Sequence, residues 1–85
     1  MPKSVFTDAY AAVVDYLIEL RKSQGVSQVE LARRLGKRQQ FVSLVEHRER
    51  RLDVVEFLVY VRALTGDPEK ALIAVARSLP DDVTI

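Results

Sequence analysis

Apolar residues recur along this chain at steps of three and four, the period of helices that bury one face. Phe6, Tyr10, Val13, Leu17 and Leu20 form such a stripe, widened by Val14 and Ile18. They predict a first helix that begins near Ser4 or Thr7 and ends before Gly25, with Arg21 and Lys22 suited to the dipole of its last turn. Ser27 and Glu30, just ahead of Leu31, make a reciprocal capping pattern, so a second helix starts at Gln28. Leu31, Ala32 and Leu35 lie on one face of it, and Gly36 ends it in the left-handed region. Helical spacing resumes from Arg38 to Glu46, with Val42 and Val45 inward and Gln39, Gln40 and Ser43 on the opposite side. Ala32 lets this third helix pass close to the second.

Asp53 and Glu56 repeat the capping logic, and Leu52 is placed to staple onto Phe57. Val54, Val55, Leu58, Val61, Ala63 and Leu64 spread over several faces, which predicts that helix four is central and the most buried, with Gly66 ending it. Asp67 and Pro68 open a fifth helix, and Pro80 stops it. Leu72, Ile73, Val75, Ala76 and Leu79 cover more than one face of that terminal helix, an excess that points to a second copy of the chain. Val83 and Ile85 alternate in the short tail 80–85, which either extends this dimer interface as an arm or added strand or is frayed. The expected organisation is one all-α, compact five-helix domain over 1–79 with that tail.

With 85 residues there is room for one small core, and the absence of cysteine excludes disulfides and thiolate chemistry. No run is apolar enough to target or span a membrane, so the expected setting is a reducing bacterial or phage cytoplasm. Net charge is only +1, yet its distribution is uneven. Within 33–51 stand seven basic residues (Arg33, Arg34, Lys37, Arg38, Arg48, Arg50, Arg51) against Glu46 and Glu49, whereas 53–85 is net acidic. That asymmetry suits a protein with one polyanion-facing side. His47 is the only histidine, with no second ligand at metal spacing and no glycine-rich phosphate loop, so neither cofactor, metal nor enzymatic activity is expected.

Ser27, Gln28, Leu31, Ala32, Leu35, Gly36, Gln39, Val42, Ser43, Val45 and Glu46, followed by Arg50-Arg51-Leu52-Asp53, resemble the helix-turn-helix of Cro/CI-type (XRE) transcriptional regulators. The resemblance covers residues 6–79 and implies a lambda-repressor-like DNA-binding domain. It implies that Gln39 reads a base edge and that Gln28 braces it while binding phosphate; Gln40 would read beside it, and Ser43, one turn on, would touch a base edge or phosphate. Glutamine can clasp adenine by donating and accepting at once. Lys37, Arg38, Arg48, Arg50 and Arg51 would meet phosphates, which dominate affinity without reading sequence. Phe41 either packs against a sugar or thymine methyl or covers the core.

The chain also departs from the family pattern. Lys37 replaces an apolar residue, Arg38 a capping Ser, Thr or Pro, and Leu44 a solvated Lys. Arg48 replaces the glycine that ends helix three, so it must accept a positive φ or the helix must run on. The function implied is a homodimeric repressor on a partly palindromic double-stranded operator, as in controller proteins, small phage repressors and autoregulating antitoxins. The alternative is an antitoxin or adaptor that grips a protein partner through helix five and the tail, with DNA binding secondary.

Overall fold

The computed structural model describes the backbone of residues 5–83 and side chains from Ala9 to Val83. The side chain of Phe6 and all of Ile85 lie outside that range. The element order is α1 (Val5–Ser23), α2 (Gln28–Leu35), α3 (Gln39–Glu46), α4 (Val54–Arg62) and α5 (Pro68–Ser78). The fold is all-α, as the periodicity predicts.

Local chemistry sets the helix starts. Ser27 Oγ accepts from the Glu30 amide at 3.0 Å and Asp67 Oδ1 from the Lys70 amide at 3.0 Å, with Pro68 in the first turn of α5. The capping box of α4 is complete: Asp53 Oδ1 accepts from the Glu56 amide, and Glu56 Oε1 from the Asp53 amide. The expected reciprocity at Ser27 is only half realised. The Glu30 carboxylate turns to Arg33 Nη2 at 2.6 Å and Arg34 Nε at 3.0 Å, because two guanidiniums are stronger donors than one backbone amide.

Three helix ends close alike. After α1 the Val26 amide reaches the Arg21 carbonyl, after α2 the Lys37 amide reaches Ala32, and after α3 the Glu49 amide reaches Leu44. Each closure turns on a left-handed residue: Gly25 (φ 68°), Gly36 (φ 69°) and Arg48 (φ 63°). Arg48 thus takes the positive φ, and the helix does not run on. Helix four ends at Arg62, short of Gly66, because the amides of Leu64 and Thr65 both turn onto the Val61 carbonyl.

Leu17, Leu31, Val42, Val45, Tyr60 and Val61 are almost wholly buried at the centre, joined by Val26, Ala32, Phe57, Leu64, Ala71 and Val75. Ala32, 2% exposed, lies where α2 packs on α3. Leu52, half-buried, and Phe57, buried, line one groove, consistent with the staple. The expectation that α4 is the most buried helix is corrected. It buries Phe57, Tyr60 and Val61 but exposes Val54 (73%), Val55 (70%), Leu58 and Val59. Valine content shows that a position is apolar, not that a neighbouring helix covers it.

Val75 also changes role, being buried in the subunit's own core beside Ala71. Leu72, Ile73, Ala76 and Leu79 are exposed and Val83 is half-buried. Asp81 and Asp82 form a turn, and among the described residues there is no strand for an arm to join.

Candidate nucleic-acid interface

At 100° per residue, Gln39, Gln40, Ser43 and His47 fall within an arc of about 100° on α3, opposite Val42 and Val45, which anchor it to the core. Gln39, Gln40 and His47 are exposed and Ser43 is half-buried. His47 Nδ1 lies 2.8 Å from the Ser43 carbonyl, so it donates there, and the ring is tied back along the helix. The first turn of α3 has no side-chain cap, since Arg38 takes the N-cap position in extended backbone without bonding back.

A hydrogen-bonded series lies behind this face. Arg21 Nε and Nη2 fork onto Glu46 Oε2 and Oε1 at 2.6 and 3.1 Å, and its Nη1 donates to the Val26 carbonyl at 2.8 Å. Both side chains of the pair are nearly buried, at 11% and 7% exposure. Glu46 Oε1 also accepts from Gln28 Nε2 at 2.8 Å, and Gln28 Oε1 accepts from Gln39 Nε2 at 2.7 Å. The end of α1, the start of α2 and both ends of α3 are thereby joined behind Gln39, and Gln28 does brace it. Sequence reasoning assigned Arg21 only to a helix dipole and Glu46 only to a motif. The opposite charges twenty-five residues apart were the available signal, but only packing reveals that they meet.

The basic residues divide by environment. Lys37, Arg38 and Arg48 are exposed beside α3. Arg50 forks onto Glu56, with Nη1 on Oε1 at 3.1 Å and Nη2 on Oε2 at 2.7 Å, and also donates to the Arg51 carbonyl. The contact raises the pKa of Arg50 and holds the Glu56 carboxyl down at about 2, the Asp53 amide adding to it. Arg33 and Arg34 likewise hold Glu30 at about 2. A phosphate contact by Arg50 would either compete with Glu56 or use the Nε and second Nη2 hydrogens that the fork leaves over. Arg51 stacks on Tyr10, 4.6 Å from the ring centroid, over a groove of about 250 Å³ also lined by Val54, Leu72 and Val75.

Phe41 is half-buried and packs against the core, its ring 6.5 Å from that of Tyr60. Lys37 Nζ and Arg50 Cζ lie 5.5 and 5.2 Å from its centroid. Of the two roles open to Phe41, covering the core is the one its packing displays. The Tyr60 hydroxyl is buried without a hydrogen-bond partner among the described residues, and burial pushes its pKa above the ordinary tyrosine range. Among the described residues no His, Cys, Asp and Glu group could hold a metal ion, and no helix is long and apolar enough to cross a membrane.

The arrangement displays amide groups on a short helix beside exposed cations, which suits base-edge contact flanked by phosphate contact. Comparison with known proteins gives the family. The helix-turn-helix family model matches residues 17–69. The solved structure of an XRE-family like protein from Pseudomonas syringae pv. tomato str. DC3000 superposes with a TM-score of 0.80 at 42% identity, over 89% of this chain and 93% of that one. No curated protein matches the sequence. With more than half its length matched by the family model, the chain belongs to the XRE-type helix-turn-helix DNA-binding regulators.

Proposed function

We propose that this regulator acts as a homodimeric, sequence-specific repressor, placing α3 of each subunit in successive major grooves of a partly palindromic operator. The reading is carried by one observation. Gln39 stands on the exposed arc of α3 with its amide held by Gln28, so a base contact there would not lose the entropy of ordering a free side chain. Gln40 and Ser43 extend the reading surface, and Gln28, Lys37, Arg38 and Arg48 supply backbone contacts. Half-sites related by a two-fold axis would lie about 34 Å apart.

The dimer is supported by the exposed Leu72 and Ile73 on α5, Leu79 just past its end, and the exposed apolar face of α4. That same surface favours the second reading, in which a different protein covers it and DNA binding is secondary. Selection from a pool of randomised duplexes tests the two. Our reading expects a consensus with two inverted half-sites about one helical turn apart. Enrichment of no common sequence would overturn it and leave the protein-binding reading.

A further inference from the structure

We propose that the nearly buried Arg21–Glu46 pair, acting through Gln28, sets which way round the Gln39 amide meets the DNA, and so which strand carries the adenine it reads. The inference rests on the DNA-reading function proposed above. A glutamine amide has nearly the same shape with its nitrogen and oxygen exchanged, so shape alone does not choose between the two orientations. Hydrogen-bond polarity does. An ionised carboxylate accepts and cannot donate. Glu46, already forked onto Arg21, must therefore receive the Gln28 nitrogen, which lies 2.8 Å from Oε1.

That turns Gln28 Oε1 toward Gln39, where it can only accept, and Gln39 Nε2 donates to it at 2.7 Å. The direction of donation is thus passed from a charged pair inside the fold to an exposed amide on α3. Gln39 keeps one N–H and its oxygen for the groove, enough for the two-point contact with adenine N7 and N6. Across the groove those two atoms run in opposite orders in A·T and T·A pairs, because N7 lies nearer the adenine's own strand. An amide held one way round matches one order. Arg21, Glu46 and Gln28 are positioning residues in this scheme, and Gln39 alone touches the base.

The test uses the wild-type consensus from duplex selection, with the Gln39-read pair identified as the one at which Gln39→Ala loses discrimination. Binding is measured to that duplex and to one in which this pair alone is reversed from A·T to T·A. Wild type should favour its own orientation by roughly five- to 150-fold, the range of a good two-point base contact. Gln28→Lys offers only donors, so it can still bond Glu46 but must face the Gln39 oxygen, and the ratio should fall to unity or invert. The Arg21→Met/Glu46→Leu double variant, which removes the source of polarity without stranding a buried charge, should also lower the ratio. Equal weakening on both duplexes, with the wild-type ratio kept in either variant, would show a merely structural role and overturn the inference. A wild-type protein that selects no sequence would overturn the function on which it rests, a distinguishable failure.

Discussion

Arg21 and Glu46 offer the sharpest test of how this small domain is held together. Their side chains are 11% and 7% exposed, and Arg21 also satisfies the Val26 carbonyl, whose residue is in the core. Removing either partner leaves the other charge short of its main partner in a site largely shielded from water, a loss of roughly 3 kcal/mol, the low end of the cost for a fully buried pair. A chain of 85 residues has a total stability of about 4 to 13 kcal/mol, so each single variant, Arg21→Met or Glu46→Leu, should consume a large part of it. Making both changes together removes both charges. It should recover most of the loss, since apolar replacement of a buried pair is often neutral or stabilising by about 1 to 4 kcal/mol. Urea unfolding of the four proteins measures this directly. A non-additive cycle, with the double variant more stable than either single, is the expected result. Single variants that each lose under about 1 kcal/mol would refute the reasoning, because the pair would then be behaving like an exposed one.

Other expectations follow from the same geometry. Arg48 sits at φ 63° where α1 and α2 place glycine, and a left-handed L-residue costs roughly 1 to 2 kcal/mol, partly offset by the chain entropy of glycine. Arg48→Gly should therefore raise the thermal midpoint by a few degrees in a domain of this size, and a lower midpoint would contradict the assignment. Tyr60→Phe removes a buried hydroxyl that has no partner among the described residues, so its urea midpoint should equal or exceed that of wild type. Glu30 and Glu56 have folded pKa values lowered to about 2, below their unfolded values. Their contribution is present above the unfolded carboxylate pKa and lost as pH falls toward 2, so stability should decline through that acid window, and Glu56→Gln should flatten the decline.

Helix starts were legible because capping is decided within four residues: Ser27, Asp53 and Asp67 all accept at their N-caps, and the reciprocal bond is made at Asp53 but not at Ser27. The choice forced on Arg48 was legible for the same reason. What lay beyond reach depends on which surfaces meet. The pairing of Glu30 with Arg33 and Arg34 is the exception, a local contact that the i,i+3 and i,i+4 spacing already offers. Arg50 reads as a phosphate ligand with no sign that Glu56 lies beside it as well, and Val75 as interface until α5 turns it inward. In the site, Gln39 and Gln28 could be named from the family pattern. The ion pair bonded behind them could not, because twenty-five residues separate its members.

The central claim is that Gln39 reads a base while the neighbouring cations grip the backbone. Its most direct test is a titration of wild type and Gln39→Ala against the selected duplex and a scrambled duplex of equal length at one salt concentration. The account predicts that Gln39→Ala weakens binding to the selected site by roughly five- to 150-fold, about 1 to 3 kcal/mol, while binding to the scrambled duplex stays unchanged. Unaltered affinity for the selected site, or an equal loss on both duplexes, would contradict it.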